Sequence, residues 1–436
     1  MSEQKVIKIK GGKPLKGEVR ISGAKNAATK ELVASLLTAD PVTLTNVPEI
    51  GDVDVTLEML EGLGVRIDRD GDRVTIDSAK MKTPEVTSAL SRKNRIPILL
   101  FGPLLARFGS AAIPALGGCQ IGPRPVNFHL NALEQMGAQI ECKDGMYHAS
   151  IAYGDRLRGA VIDLPFPSVG ATENIILSAV LAKGTTVIRN AATEPEIKDL
   201  AMLLQAMGAI IQLDVNQTWI VEGVEALHGA NHRVIPDRIE AASFATASVL
   251  TKGDVFIRGA IQEHMISFLN ALRRVGGDFE ILPEGIRVYR TGDIHQATIE
   301  TDVHPGFATD WQQPFLILLT QADGVSIVHE TVYESRFGYT EALNAMGANI
   351  SVHTNCLGAK ACRFSYRNHP HSAVIVGPTP LKAADIEIPD LRAGFSYLIA
   401  ALIAKGTSTI SGVETINRGY ERIVEKLKGL GAEIKG

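Results

Sequence analysis

The chain has 436 residues, of which 45% are apolar and 21% are charged, and its 44 Lys and Arg against 48 Asp and Glu give a net charge of −4. This length suits two or three domains with cores of their own, and the composition excludes a disulfide-stapled miniprotein and a disordered chain. Because positive charge is not in excess, no overall field attracts nucleic acid, and any anionic ligand must be held locally.

The N-terminal segment MSEQKVIKIKGGKP has no apolar core, so we expect no secretory signal and a cytoplasmic protein. Apolar stretches at 96–106 and 395–404 are shorter than the ~20 residues of a membrane span and are predicted to form buried helices. The four cysteines include no CxxC pair and no Cys–His cluster with zinc spacing. We therefore expect free thiols and no metal, with Cys142, Cys356 and Cys362 as inert small hydrophobes. The sequence implies no organic cofactor either.

One pattern recurs along the chain: a helix-like apolar segment ends in a glycine, and strand-like residues follow. The six glycines, 68 to 84 residues apart, are Gly64, Gly137, Gly208, Gly276, Gly347 and Gly431. A glycine directly after a helix is typical of the left-handed cap position. The other half of each unit is an alanine-rich helix, a short turn and a β-branched strand, as in AKGTTVIRNA and TKGDVFIRGA.

Six such units are too many for one domain, so the pattern predicts two similar domains of three units each. A solenoid is the structural alternative, but solenoid repeats are about 20–50 residues long, shorter than these units. The expected fold class is therefore mixed α/β (α+β). A cleft between two such domains is a preferred place for a ligand.

The segment ALGGCQIGPRPVNFH combines glycines and prolines with a cysteine, an arginine and a histidine, which is unusual for a loop that only connects two elements. Its two adjacent glycines predict a flexible, exposed position for Cys119, and Arg124 can favour the thiolate, so Cys119 is a candidate nucleophile or acid. We expect His129 to open the following helix as a structural or orienting group, with a catalytic role as the weaker alternative. GGCQIG matches neither GxGxxG nor a Walker loop, so dinucleotide and P-loop chemistry are not supported.

Near the N-terminus, SGAKNAATKELVASLL places Lys25 and Asn26 just before an apolar helix. A lysine ammonium and the amides of a helix N-terminus could hold an anion together. A solvated lysine is the alternative.

Nine segments occur in the order ISGAKNA, GGCQIGPRPVNFH, PSVGATEN, EPEI, PDRIE, HPGFATDWQ, ESRF, PDLRAG and NRGYERI. Together they closely resemble the UDP-N-acetylglucosamine 1-carboxyvinyltransferase family of enolpyruvyl transferases, from about Val6 to the C-terminus. The resemblance implies a two-domain inside-out α/β barrel with three βαβαββ-like repeats per domain and an active site in the interdomain cleft. One domain would span 22–236 with the Cys119 loop, and the other 1–21 plus 237–436 with both termini.

The resemblance also implies the activity. The enolpyruvyl group of phosphoenolpyruvate moves to the 3′-hydroxyl of UDP-N-acetylglucosamine with release of phosphate, by addition and elimination through a tetrahedral intermediate, which opens peptidoglycan precursor synthesis. Cys119 would be the general acid and could form a 2-(S-cysteinyl)pyruvate adduct, Asp310 would be the base, and Lys25 and Arg418 would assist. A positioned acid or base contributes about 10²–10⁴ in rate. Cysteine at position 119 implies sensitivity to the antibiotic fosfomycin.

The remaining assignments by resemblance concern substrate binding, and an acidic protein needs buried cations to bind such anions. The phosphoenolpyruvate site would use Lys25, Asn26, Arg124, Arg392 and Arg418. The UDP-N-acetylglucosamine site would use Arg95, Arg124, Pro125, Val126, Asn127, Phe128, Ser168, Val169, Gly170, Asp310 and Val332. Supporting residues would be Glu194, Asp237, His129 and Asp390. No nucleic acid or membrane partner is expected.

Gly51 and Phe166 stand where the family often has basic residues. Their presence leaves open a diverged paralogue with an altered acceptor, or a non-catalytic regulator that binds a nucleotide sugar. A less favoured alternative is 3-phosphoshikimate 1-carboxyvinyltransferase, which shares the fold and the donor but does not rely on a loop cysteine; GGCQIGPRP argues against it.

Overall fold

A computed structural model describes residues 6–87, 94–115, 126–152, 155–359, 362–389 and 391–436. The chain divides into two compact units. The terminal unit contains residues 6–22 and 236–436, and the central unit contains the described residues from 23 to 235. Ser22 and Pro236 both belong to the terminal unit, so the limits of the units differ by one residue from those that the resemblance implied.

The central unit repeats one pattern three times: a buried helix, a strand, a second helix and a β-hairpin. Two strands of the terminal unit precede it, β1 (Ile7–Lys10) and β2 (Lys16–Arg20). The elements of the central unit are α1 (Lys25–Ala34), β3 (Val42–Thr45), α2 (Gly51–Gly62), β4 (Arg66–Asp70), β5 (Arg73–Asp77), α3 (Phe101–Phe108), β6 (Ser110–Pro114), α4 (Asn127–Gln135), β7 (Ala138–Lys143), β8 (Met146–Ile151), β9 (Val161–Asp163), α5 (Val169–Ala179), β10 (Thr185–Arg189), α6 (Pro195–Ala206), β11 (Ile210–Asp214), β12 (Thr218–Glu222) and β13 (Asn231–Arg233). Short 3₁₀ helices span Ser35–Leu37 and Ile96–Leu100.

Each repeat of the central unit builds one sheet, in the strand orders β13-β3-β5-β4, β6-β8-β7 and β9-β10-β12-β11. In the first and third sheets an edge strand pairs parallel to its neighbour, and the hairpin strands pair antiparallel. In the second sheet the described residues form one parallel bridge at this edge, between Glu85 and Ala112. Because β13 joins the first sheet, the last strand of the unit pairs with its first repeat.

The terminal unit repeats the same pattern. Its further elements are α7 (Arg238–Leu250), β14 (Asp254–Arg258), α8 (Ile266–Arg274), β15 (Gly277–Leu282), β16 (Gly285–Arg290), β17 (Thr298–Glu300), α9 (Gln312–Thr320), β18 (Gly324–His329), α10 (Thr340–Ala345), β19 (Ile350–His353), β20 (Ser372–Gly377), β21 (Asp385–Glu387), α11 (Leu391–Ile403), β22 (Thr407–Ser411), α12 (Val413–Ile416), α13 (Ile423–Gly429) and β23 (Glu433–Lys435). Short 3₁₀ helices span Gln262–His264 and Thr309–Trp311.

The three sheets of the terminal unit have the orders β2-β14-β16-β15, β17-β18-β20-β19 and β21-β22-β1-β23. The βαβαββ-like repeat that the resemblance implies ends in two strands, but in this repeat only β23 follows Gly431. The N-terminal strand β1 takes the place of the missing strand, because it pairs antiparallel with both β22 and β23. The N-terminus therefore completes the last repeat.

Each unit has its own apolar core, built around helices that are buried on every side. In the terminal unit α7 carries small residues at most positions, and all thirteen of its residues are buried. Phe244 of α7 meets Phe395 of α11 edge to face, with ring centroids 5.1 Å apart. The apolar stretches 96–106 and 395–404 form buried helical segments, which confirms that prediction. Among the described residues no helix is both long and apolar enough to cross a membrane.

All six recurring glycines adopt a left-handed conformation, with φ between +90° and +103°. The prediction of six glycine caps is confirmed, and each marks the passage from a helix into a strand.

Replacing one of these glycines by alanine is expected to lower stability through the backbone alone. At Gly137 (φ +94°) an added Cβ would meet no atom within 4 Å, so Gly137→Ala tests only the left-handed conformation. We expect a loss of about 1–2 kcal/mol in the free energy of unfolding. Gly62, at the end of α2 and also in open space, is the matched control, and Gly62→Ala is expected to be neutral or slightly stabilising. Equal thermal midpoints for the two variants would contradict this explanation.

Two expectations about cysteines are wrong. Cys142 is exposed on β7, so it is not a buried small hydrophobe. Cys356 and Cys362 lie beside each other and beside His371, although no Cys–His cluster was expected from their spacing. The cause is the course of the connection between the paired strands β19 and β20, which brings together residues 6 to 15 positions apart.

Candidate active site

The predicted site residues are distributed over both units, and each unit is described by itself. Cys119, Arg124, Pro125 and Asp390 lie outside the described residues, as does the side chain of Arg392. The assignments made for these five residues remain predictions.

In the terminal unit, Asp310 lies in the 3₁₀ helix that leads into α9. Its Oδ1 accepts a hydrogen bond from Arg336 Nη2 at 2.5 Å, while Arg336 Nη1 donates to Thr309 Oγ1 at 2.8 Å. The side chain of Arg336 is only 2% exposed, whereas that of Asp310 is 19% exposed. The buried guanidinium therefore fixes the orientation of a carboxylate that solvent and ligands can still reach.

The charge of Arg336 is maintained in spite of its burial. Burial alone would lower the pKa of the Arg336 guanidinium, but the neighbouring carboxylates of Asp310 and Glu330 raise this pKa above its usual value. A permanently charged guanidinium is well suited to hold carboxylates in a fixed geometry.

Glu330 holds the segment that contains Val332. Its buried carboxylate accepts hydrogen bonds at Oε1 from the Thr301 hydroxyl (2.8 Å) and from the backbone N–H groups of Val332 (2.8 Å) and Tyr333 (3.0 Å). Its Oε2 accepts one from the Thr309 hydroxyl at 2.9 Å. The Glu330 carboxylate thus connects Thr301, the residue after β17, with the 3₁₀ helix of Asp310 and with the segment around Val332. The resemblance assigns Val332 to sugar binding.

Sequence reasoning missed both Arg336 and Glu330. A signal existed for Arg336, because ESRF is among the segments that carry the resemblance. Glu330 has no signal in the sequence, since its role depends on burial and on hydrogen bonds to residues up to 29 positions away.

Two further predicted residues lie in the terminal unit. Arg418 follows α12 and is half-buried. Asp237 is the N-cap of α7, where its Oδ1 accepts from the N–H groups of Ile239 (2.7 Å) and Glu240 (3.2 Å). An aspartate at this position stabilises the start of a helix, and the supporting role at the site that the resemblance implies for Asp237 stays a prediction.

In the central unit, Lys25 is the first residue of α1 rather than a residue before it. Its Nζ lies 2.6 Å from Asp52 Oδ2, and both side chains are largely buried. Lys25 is therefore not a solvated surface lysine, and that alternative is wrong. Asp52 directly follows Gly51, the first residue of α2, and Asn26 is half-buried with its carbonyl accepting from Lys30 Nζ at 2.7 Å.

His129 lies in the first turn of α4, as predicted, and is 8% exposed. Its ring packs on Gly170, where an added Cβ would lie 3.3 Å from Cε1, and its Nδ1 is 3.3 Å from Asn174 Nδ2. Burial, and after it the positive charge of Arg95, lowers the pKa of His129 to about 3. His129 is thus neutral at physiological pH, which favours an orienting role over proton donation.

The remaining predicted residues of the central unit lie at helix starts. Ser168 is the N-cap of α5 and accepts from Ala171 N–H at 3.4 Å. Glu194 holds the same position before α6 and is 9% exposed. The others lie at the first residues of helices or just before them: Val126, Asn127 and Phe128 at α4, and Val169 and Gly170 at α5. Asn127 is exposed, and the other four are half-buried. Phe166 is half-buried just before Ser168.

Glu173, in the second turn of α5, makes stability depend on pH. Both of its carboxylate oxygens are buried without a hydrogen-bond partner in the described structure, and Lys30 Nζ is 3.8 Å away. Burial raises the pKa of Glu173 to about 7; Lys30 opposes this rise, and Glu196 and Glu194 add to it. Since the unfolded chain ionises near pH 4.5, the free energy of unfolding is expected to fall between about pH 4.5 and 7.

Glu173→Gln removes this titration. We expect it to be on the order of 2–3 kcal/mol more stable than the parent chain at pH 8, with the difference vanishing at pH 4.5 and below. Glu141→Gln, on the exposed face of β7, is the control and is expected to show no such difference. Urea unfolding of all three chains at pH 4.5, 6 and 8 measures the difference in the free energy of unfolding. If this free energy changes with pH in the same way in Glu173→Gln and in the parent, burial does not raise the pKa of Glu173 as expected.

The sequence model of the EPSP synthase (3-phosphoshikimate 1-carboxyvinyltransferase) family matches residues 9–427. Nearly the whole chain is matched, so it belongs to the EPSP synthase family of enolpyruvyl transferases. Among solved structures, the enolpyruvyl transferase NikO from Streptomyces tendae is similar with a TM-score of 0.87 and 25% identity, covering 99% of this chain and 98% of that one. The expected two-domain α/β fold is confirmed.

Curated relatives show to which group within this family the chain belongs. The UDP-N-acetylglucosamine 1-carboxyvinyltransferase of Protochlamydia amoebophila is 52% identical and the one of Chlamydia abortus is 50% identical. The alignments cover 98% and 97% of this chain, and 94% and 96% of those proteins. Within its family, the chain belongs to the UDP-N-acetylglucosamine 1-carboxyvinyltransferases.

Proposed function

We propose that the chain transfers the enolpyruvyl group of phosphoenolpyruvate to the 3′-hydroxyl of UDP-N-acetylglucosamine and releases phosphate, a step of peptidoglycan precursor synthesis. The observation that carries this proposal is the placement of Asp310, a partly exposed carboxylate oriented by a buried arginine, in a chain about half identical over its length to proteins of that name. A cytoplasmic location follows from the proposal, because both substrates are intracellular metabolites.

The chemistry requires one proton acceptor and one proton donor. In the addition step the acceptor oxygen bonds to C2 of phosphoenolpyruvate, its proton goes to Asp310, and C3 takes a proton from the Cys119 thiol. In the elimination step C3 gives up a proton, the double bond forms again and the C2–oxygen bond to phosphate breaks. A carboxylate fixed by Arg336 suits the first role, because general-base catalysis depends on position before it depends on pKa.

The anionic groups of both substrates require cations. Lys25 and Arg95 of the central unit and Arg418 of the terminal unit are all partly buried, where charge-assisted hydrogen bonds to phosphate and carboxylate are strong. Lys25 has Asp52 as its present partner, so a bound anion would share the ammonium with that carboxylate. The Val332 segment, held by Glu330, would position the sugar beside Asp310.

The proposal is tested by phosphate release from phosphoenolpyruvate, measured with UDP-N-acetylglucosamine, with shikimate 3-phosphate and without acceptor. Release only with the nucleotide sugar, lost in Cys119→Ala and kept in Cys142→Ala, supports the transfer and its acid. Cys142 is a suitable control because its thiol is exposed on β7.

Other outcomes point to the alternatives. Phosphate release with shikimate 3-phosphate but not with UDP-N-acetylglucosamine would indicate a 3-phosphoshikimate 1-carboxyvinyltransferase. Calorimetric binding of UDP-N-acetylglucosamine without phosphate release by the folded chain would indicate a regulator. Gly51→Lys and Phe166→Lys would then show whether the two departures account for lost turnover.

A further inference from the structure

Four side chains that can bind a metal meet in the terminal unit, at one end of the sheet β17-β18-β20-β19. They are His329, Cys356, Cys362 and His371, and one potential ligand atom of each lies within 4.8 Å of the others. Both histidines are fully buried and both cysteines are half-buried. His329 ends β18, and His371 directly precedes β20, with which β18 pairs. The proposed transfer uses none of these four residues.

The distances in this cluster suit a tetrahedral metal ion. Cys356 Sγ lies 3.5 Å from Cys362 Sγ and 3.3 Å from His371 Nε2. With zinc–sulfur bonds of about 2.3 Å and zinc–nitrogen bonds of about 2.05 Å, a tetrahedron has edges of about 3.8 Å between sulfurs and about 3.6 Å between sulfur and nitrogen. Two edges therefore already have nearly the required length. The two sulfurs are also too far apart for a disulfide, whose bond is about 2.05 Å long.

His371 is oriented as a metal ligand usually is. Its Nδ1 lies 2.7 Å from the carbonyl oxygen of His369, so Nδ1 carries the proton and donates it. This leaves the lone pair of Nε2 directed towards Cys356. Histidines that bind metals commonly donate their other ring N–H to a backbone carbonyl in this way.

His329 provides a second, independent observation. Neither of its ring nitrogens has a hydrogen-bond partner in the described part of the chain, although the residue is 0% exposed. Buried polar atoms without a partner are rare and costly, and a bound ion is one of their accepted explanations. The backbone of Gly358 lies against the ring so closely that an added Cβ would clash with Nδ1. The loop of the cysteines is thus packed directly on His329.

The segment that carries both cysteines is unusual among the hairpins of this fold. Residues 354–371 connect β19 to β20, whereas β4–β5, β7–β8 and β15–β16 are joined by two residues each. In the described part of this connection there is no helix or strand, and a long connection of this kind needs specific interactions to be ordered. Some are present: Cys356 Sγ lies 3.1 Å from Ser365 Oγ, and the N–H of Phe364 donates to Cys362 Sγ at 3.4 Å. The Ser365 hydroxyl also donates to the carbonyl of Cys362 at 2.6 Å, so these contacts hold both cysteines in the loop.

We propose that His329, Cys356, Cys362 and His371 bind one zinc ion in a closed, structural Cys₂His₂ site that fastens the 354–371 loop to the end of β18. Two thiolates balance the charge of the ion, which suits the buried surroundings. Tetrahedral sites of two sulfurs and two nitrogens select zinc over metals that prefer oxygen ligands or planar geometry. Since the protein supplies all four ligands, no position is left open for a substrate.

The first test is the zinc content of the chain, expressed without a polyhistidine tag and purified with a thiol reductant but no chelator. We expect about one zinc per chain by elemental mass spectrometry. The double variant Cys356→Ser with Cys362→Ser is expected to contain at least tenfold less. Cys142→Ser is the matched control, because it removes an exposed thiol from the other unit and should keep the full zinc content.

The second test uses the unaltered chain, so that it does not depend on the folding of the double variant. Zinc-edge X-ray absorption should show two sulfur and two nitrogen ligands, and after chelation amide exchange should accelerate at 354–371 but not at the β4–β5 hairpin. The proposal is overturned by a reduced, folded chain that takes up no added zinc, by a first shell without sulfur, or by equal zinc in the double variant. A Cys356–Cys362 disulfide found in chain prepared without oxidant would also overturn it.

Discussion

Asp310→Asn is expected to lower turnover of phosphoenolpyruvate and UDP-N-acetylglucosamine by about 10²–10⁴-fold, the range for loss of a positioned proton acceptor. Asparagine has almost the same shape and can still accept the hydrogen bond from Arg336 Nη2 through its amide oxygen. It cannot take up the proton of the sugar hydroxyl. We therefore expect kcat to fall while the dissociation constant of UDP-N-acetylglucosamine changes little.

The control for this variant is Asp323→Asn, which removes an exposed carboxylate just before β18. It is expected to retain full turnover. Steady-state phosphate release and calorimetric binding on both variants separate the effects. If Asp310→Asn keeps more than a tenth of the parental kcat, Asp310 is not the base, and the role assigned by resemblance fails.

Arg336→Met is expected to lower the free energy of unfolding of the terminal unit by about 3–5 kcal/mol and to abolish turnover. The guanidinium is buried between Asp310 and Glu330, and removing one partner of a buried ion pair leaves the others without compensation. Methionine fills much of the volume but supplies no donor to Asp310 or Thr309. Turnover is lost because Asp310 no longer has the guanidinium that orients its Oδ1.

Arg287→Met is the matched control in the same unit. Arg287 also pairs with two carboxylates, Asp254 at 2.6 Å and Glu280 at 3.2 Å, but its side chain is 41% exposed. Exposed pairs contribute about 0–1 kcal/mol, so this variant should stay close to the parent in urea unfolding and in turnover. Similar losses in the two variants would mean that burial of Arg336 does not determine its contribution.

Much of the fold follows from local sequence signals. A helix that passes directly into a strand needs a residue in the left-handed conformation at its end, and glycine adopts this conformation easily. The six glycines therefore mark the six repeats before any tertiary contact is known. The last repeat departs from this pattern, because β1 pairs with both β22 and β23 in its sheet. That arrangement depends on pairing over more than 400 residues, for which no local signal exists.

Less of the candidate site than of the fold could be predicted from the sequence. The resemblance assigned roles to Asp310 and Val332, and these stay predictions; the buried partners that hold them, Arg336 and Glu330, act through tertiary hydrogen bonds. The Cys–His cluster was missed for the same reason. Cys356, Cys362 and His371 follow one another in the β19–β20 connection without a zinc-motif spacing, and His329 joins them because β18 and β20 are paired. Residues whose role arises from strand pairing do not carry a spacing that can be read in advance.

The most direct measurement of the central claim is mass analysis of the nucleotide sugar after incubation of the purified chain with phosphoenolpyruvate and UDP-N-acetylglucosamine. The account predicts conversion to an enolpyruvyl ether of UDP-N-acetylglucosamine, with one phosphate released per product and no conversion in Asp310→Asn. Unchanged UDP-N-acetylglucosamine after prolonged incubation with folded chain, or equal conversion by Asp310→Asn, would contradict it.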